Sequence, residues 1–159
     1  MSITISETSV TAPVAYRSYH GGFFSVLISP EQTAGAMGII DIRLPKGSEP
    51  PPHIHLHEDE TFYLIDGEVS FEIGNETIIA KHGEAVFAPR GIAHRFTLNT
   101  AEARMLTMVT PGKFVDYFME FSTPVQGEPQ VTAPQGSPPT EAIAYMAQVL
   151  DEKYGVKFA

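Results

Sequence analysis

The chain has 159 residues, no cysteine and a formal net charge of -9, from 10 Lys and Arg against 19 Asp and Glu. That length suits one domain with a sizeable core, and the acidic balance argues against nucleic acid or an anionic membrane as a partner. Without thiols there is no disulfide framework and any metal must be held by nitrogen and oxygen, while no run approaches the ~18 apolar residues of a membrane span.

The first residues, Met1-Ser2-Ile3-Thr4-Ile5-Ser6-Glu7, lack the basic and apolar regions of a secretion signal, so a cytoplasmic location is expected. The middle of the chain reads as β-structure. Ile40, Ile42 and Leu44 alternate with Asp41 and Arg43, the period-2 signature of a half-buried strand. Pro50-Pro51-Pro52 then leads into His53-Ile54-His55. Each proline fixes φ and disfavours helix at the residue before it, so this stretch is expected to be extended. Runs 61–65 and 69–73 flank Asp66-Gly67. An Asp-Gly pair between two such runs predicts a tight hairpin, because both central positions of the favoured turn need positive φ. Gly74-Asn75 predicts a second tight turn before 77–79, and further strands are expected at 85–88, 94–98 and 104–109. Phe71, Phe87, Phe96, Leu106 and Met108 are the expected large core residues of this region. Many short strands with turn signals and no intervening helix imply an all-β sandwich or barrel.

The composition shifts after Pro111. Residues 114–121 read as a short helix, and 124–139 carry five prolines and two glycines, the mark of a linker or an arm laid over the surface. Ile143, Met146, Ala147, Leu150 and Tyr154 form one stripe at helical spacing, predicting an amphipathic helix that packs on the barrel or on a second subunit. Thr140 can cap its start and Gly155 can end it. The organisation expected is therefore residues 1–123 as a β-barrel with N-terminal strands and a short helix, 124–139 as the arm, and 140–159 as the C-terminal helix.

Two segments carry chemistry. The first runs Gly47, five residues, His53-Ile54-His55, four residues, Glu60, six residues, Gly67. The second runs Gly83, five residues, Pro89-Arg90-Gly91, two residues, His94. Residues two apart on a strand point the same way, so His53 and His55 aim at one spot. Glu60 shares its face with Phe62 and Leu64, and His94 shares its face with Phe96 and Leu98. If those faces line the barrel, four polar groups point into an apolar interior, which is costly unless they are paired or bound to something. Three imidazoles and a carboxylate can hold one divalent transition metal; Fe, Mn, Ni, Co, Cu and Zn all suit such ligands. The alternative is a set of surface histidines that fall in this order by chance. His57 continues the alternation but reads as a mouth or surface residue beside Glu58 and Asp59. His20 and His82 sit beside glycines in turns and read as surface, and Arg90 reads as a solvated turn arginine.

These two segments resemble the signature motifs of the cupin superfamily, and the resemblance covers roughly residues 35–110. The first motif matches at Gly47, His53, His55, Glu60 and Gly67, the second at Gly83, Pro89, Gly91 and His94. The closing asparagine of the second motif is displaced: Leu98 stands in its place and Asn99 follows one residue late, implying a loop or bulge there. The resemblance implies a cupin jelly-roll β-barrel (a double-stranded β-helix) with a metal held by His53, His55, Glu60 and His94. The runs Pro51-Pro52-His53-Ile54-His55 and Glu60-Thr61-Phe62-Tyr63, with the Pro111-Gly112 to Phe118 segment, are also similar to small single-domain cupins related to bacterial quercetin dioxygenase. That likeness implies a metal-dependent dioxygenase acting on a small organic substrate, with Glu60 as general base. The alternatives are a non-catalytic small-molecule binding or sensing cupin, and a metal-dependent isomerase or lyase. A homodimer is expected from the resemblance alone.

Overall fold

The computed structural model describes residues 14–159; the first seven residues, read above for a secretion signal, lie outside them. Among the described residues no helix is long and apolar enough to cross a membrane. The strands are β1 (Tyr16–Tyr19), β2 (Gly22–Ile28), β3 (Gly38–Pro45), β4 (His53–His55), β5 (Asp59–Asp66) and β6 (Val69–Ile73), followed by β7 (Glu76–Ala80), β8 (Ala85–Ala88), β9 (His94–Leu98) and β10 (Glu102–Thr110), with β11 (Thr123–Val125) and β12 (Val156–Phe158) near the end. Two helices, α1 (Val115–Glu120) and α2 (Thr140–Tyr154), lie on either side of the proline-rich stretch.

The strands form two antiparallel sheets, ordered β11-β1-β2-β3-β10-β5-β8 and β12-β4-β9-β6-β7. Alternation along each strand decides what faces inward. β3 buries Ile40, Ile42 and Leu44, β5 buries Glu60, Phe62 and Leu64, and β9 buries His94, Phe96 and Leu98. The sheets meet through these faces: the Phe62 ring of the first lies 5.0 Å from the Phe71 ring of the second. The result is an all-β jelly-roll barrel with a C-terminal helix.

Four local expectations are corrected. The Gly74-Asn75 turn does join a hairpin, with Ile73 opposite Glu76, but Asp66-Gly67 does not. β5 pairs with β8 and β10, and β6 with β7 and β9, so the turn is a corner that carries the chain from one sheet to the other. Both flanking runs bury apolar faces, and they do so against each other across the barrel, with Phe62 over Phe71. Gly67 is at φ 86, and a Cβ there would lie 2.7 Å from the Glu102 carbonyl oxygen, so the corner needs glycine for both conformation and room.

The second correction is one of strand phase. Phe87 is 56% exposed, and Leu106 and Met108 are half-buried on the outer face. The inward residues of β10 are Ala103, Met105, Thr107 and Val109. Over residues 105–109 both faces of β10 carry apolar residues, so the large Leu106 and Met108 read as core although Glu102 and Arg104, on the same face, mark it as the outer one. Third, of the loop or bulge implied at Leu98, the loop is found, from residue 99, and the bulge is not. β9 keeps regular register with β6 through Leu98, the Leu98 N–H donates to Glu49 Oε1 at 2.9 Å, and the Asn99 side chain turns outward to Glu68 and Ser70.

The fourth concerns α2. Its N-cap residue is Pro139, with no side-chain cap, and the Ile143 N–H donates to the Pro139 carbonyl at 3.1 Å. Gly155 ends it in the left-handed region at φ 63, as expected. Only the C-terminal half of the stripe is sealed. Leu150 and Tyr154 are buried while Ile143 is 47% exposed. Lys153 and Tyr154 both donate to Glu120 Oε2, tying α2 to α1. Beyond Gly155, β12 adds itself to β4, pairing Val156 with His55 and Phe158 with His53.

Leu64 is fully buried between the sheets. Leu64→Ala is expected to lower unfolding stability in urea by about 2–5 kcal/mol. Phe87→Ala, on the exposed outer face, is expected to change it by no more than about 0.5 kcal/mol.

Candidate metal centre

His53, His55, Glu60 and His94 come together inside the barrel. One potential ligand atom from each lies within 4.8 Å of all the others, and the four residues are 8%, 1%, 4% and 4% exposed. The second sheet supplies the imidazoles. β4 is extended and presents His53 and His55 on its inner face, and β9 places His94 directly opposite His53. The first sheet supplies the carboxylate, from β5, where Glu60 lies between Ala88 and Val109. The site therefore bridges the two sheets.

The Pro51 carbonyl lies 2.8 Å from Nδ1 of His53, and the Ile92 carbonyl 3.2 Å from Nδ1 of His94. A carbonyl only accepts, so both Nδ1 atoms carry protons, and in the neutral ring each Nε2 is left with a lone pair. Nε2 of His94 nevertheless sits 2.9 Å from Glu60 Oε2, and Nε2 of His55 sits 3.2 Å from the same oxygen. Acceptors held face to face at that distance need a cation between them, either a proton or a metal ion. Donors bound to one ion at about 2.1 Å lie about 3–4 Å apart, so this cluster reaches metal geometry with a small contraction. The donor set, three imidazole nitrogens and one carboxylate, is that of first-row divalent metals.

The electrostatics agree. Burial alone would raise the Glu60 pKa, but the three histidines outweigh it and hold the carboxyl at about 2. Burial lowers His53 to about 4, against the partial compensation of Glu60. For His55, burial also acts to lower the pKa, yet Glu60 and Glu58 together overcome it and the value is raised. One carboxylate thus serves several imidazoles, and the cluster carries an uneven share of positive charge.

An aromatic layer closes this end of the barrel. The Phe114 ring meets His55 edge-on at 4.5 Å and stacks on Tyr117 at 4.9 Å, with Tyr154 against both. The Tyr19 and Tyr117 hydroxyls lie 3.1 Å apart, and burial, with help from Tyr117 and Glu60, pushes the Tyr19 phenol well above its usual range.

The other polar residues sort simply. His57 is exposed and outside the cluster; its ring lies where a Cβ on Gly155 would reach to 2.5 Å. Arg90 is exposed and donates to both oxygens of Asp59. His82 is exposed, whereas His20 is half-buried rather than fully at the surface. Two features were missed from sequence. Glu58, read as a surface neighbour of His57, is only 3% exposed. The aromatic cover was read only as a short helix. Nothing in strand periodicity marks Glu58, because it lies in the loop between β4 and β5; its only signal is a position three residues after His55.

Residues 41–110 match the cupin domain family. Quercetin 2,3-dioxygenase of Bacillus subtilis is 24% identical over 102 residues, which cover 64% of this chain and 30% of that protein. The chain therefore spans under a third of that relative's length. Among solved structures, an RmlC-like cupin of Shewanella frigidimarina superposes with a TM-score of 0.56 at 16% identity, covering 68% of this chain and 93% of the other. A Thermotoga maritima protein described as a predicted oxalate decarboxylase gives 0.54 at 23% identity, covering 64% and 96%. At these identities the solved structures attest the fold alone.

Removal of one donor leaves the others half-satisfied. His94→Ala is expected to lose most bound metal, measured by elemental analysis after dialysis. The chelator-treated protein should also show a pH signature. His53 is held at about 4 while an unfolded histidine titrates near 6.5, so between those values the unfolded state binds the extra proton and stability falls as pH falls. Urea titrations across that window should show a shallower slope for His53→Asn than for the parent protein.

Proposed function

We propose that this chain, a small cupin-domain protein, is a metal-dependent dioxygenase that acts on a small, planar organic substrate with an acidic enol or flavonol hydroxyl. The observation that supports this reading most is the convergence of three imidazoles and the Glu60 carboxylate in the buried interior of the barrel, with the Phe114 ring against His55. The B. subtilis relative supports the same chemistry. A bound transition metal would supply a Lewis-acidic, redox-capable centre with coordination positions left free by four protein ligands.

The chain's own residues would do the rest. His53, His55 and His94 hold the ion against the second sheet. Glu60 is ionised throughout the physiological range, as a proton acceptor must be. Phe114, packed on His55 and stacked on Tyr117, keeps water away from the reacting atoms.

A second reading, a non-catalytic binding or sensing cupin, is favoured by the tight closure of the site: Phe114 rests on His55, and all four candidate ligands are buried. Oxygen-electrode assays of the protein loaded with iron, manganese, nickel, cobalt or copper, using flavonols and simple enols, separate the two. The dioxygenase reading expects oxygen uptake that falls by about 100-fold or more in Glu60→Gln. A flat trace with every metal, alongside a flavonol-induced rise in melting temperature, would favour the binding reading. Product formed without oxygen would point instead to isomerase or lyase chemistry.

A further inference from the structure

Glu58 is a carboxylate in a loop, yet it is almost fully buried, and its Oε2 has no hydrogen-bond partner of good geometry. Nδ1 of His55 lies 3.5 Å from that oxygen. On the other side of the same ring, Nε2 faces Glu60 at 3.2 Å. His55 is thus held between two buried carboxylates. The other two imidazoles are oriented differently, because His53 and His94 give their Nδ1 protons to backbone carbonyls. Among the three, His55 is the one whose Nδ1 faces a carboxylate in place of a backbone carbonyl.

A buried, unpartnered carboxylate oxygen is expensive, and Nδ1 of His55 is placed to relieve it. The Arg90 guanidinium is committed to Asp59. Nδ1 of His55 carries a proton whenever Nε2 binds a cation. A metal on Nε2 withdraws electrons from the ring, makes that N–H a better donor, and draws it closer to the carboxylate. In return, the negative charge raises the donor strength of Nε2 and fixes the plane of the ring. Glu58 also supplies a second negative charge, so that with Glu60 the immediate surroundings balance a dication.

We propose that Glu58 is a positioning residue for the metal centre: it accepts the Nδ1 proton of His55, aims Nε2 at the ion and strengthens it as a ligand. This rests on the metal-binding part of the reading above and not on the dioxygenase part.

The test uses the full chain and cobalt(II) as probe, with affinity read by chelator competition and ligand geometry by the visible absorption spectrum. Glu58→Ala should bind cobalt about 10–100-fold more weakly than the parent, with a shifted spectrum. Glu58→Gln keeps an acceptor oxygen but loses the charge, and should recover part of the affinity while staying measurably weaker than the parent. Either variant binding within threefold of the parent with an unchanged spectrum would overturn the proposal. So would equal weakening in both variants with the parent's spectrum, which would mark a packing effect. Should Glu58→Ala fail to fold, Glu58→Gln decides alone. A parent chain that binds no cobalt would sink the proposal together with the metal site, whereas a parent that binds cobalt but consumes no oxygen would remove only the dioxygenase reading.

Discussion

The structure turns on one buried carboxylate. Glu60 projects from the first sheet into the barrel and meets the Nε2 atoms of His55 and His94 from the second at 3.2 and 2.9 Å. A charge taken out of water in this way is destabilising unless positive charge faces it closely. Whatever cation fills that role, proton or metal, holds the two sheets together at the point where their apolar faces part. The cluster is therefore at once a joint in the fold and a candidate metal site.

Much of the surrounding structure keeps that joint in register. β4 is only three residues long, too short to position two ligands unaided. It is braced along one edge by β9, with His53 opposite His94, and along the other by β12. Loop contacts add to this: the Gly91 N–H donates to the His55 carbonyl and the Leu56 N–H to the Gly155 carbonyl, at 2.8 and 2.9 Å. The far end of the chain thus helps to set the position of two candidate ligands, and α2 brings Tyr154 onto the aromatic cover at the same time. The C-terminal segment is therefore part of the site's scaffold and more than a helix laid on a finished barrel.

The sequence showed most of the site and less of the fold's wiring. His53, His55, Glu60 and His94 were legible because strand periodicity fixes which way a side chain points once its apolar neighbours name the inner face; Phe62 and Leu64 did this for Glu60, and Phe96 and Leu98 for His94. Where both faces of a strand are apolar the rule fails, as it did at Phe87 in β8; at Leu106 and Met108 size was taken for burial, although Glu102 and Arg104 share their face. Asp66-Gly67 misled because local turn chemistry records a sharp reversal but not whether the two strands remain partners. Glu58 was hidden by its loop, where no periodicity operates, and a charged residue beside His57 and Asp59 reads as solvated unless tertiary packing closes over it. β12 was invisible because three residues after a helix carry too little pattern to announce a strand, and its pairing partner lies about a hundred residues earlier.

A metal ion among these four side chains would show in an anomalous-difference map from crystals grown with cobalt or zinc and collected at the metal's absorption edge. A single strong peak is expected inside the barrel, with Nε2 of His53, His55 and His94 and one oxygen of Glu60 at about 2.0–2.2 Å from it. A barrel without a peak, or a peak elsewhere with the four side chains turned apart, would contradict that expectation.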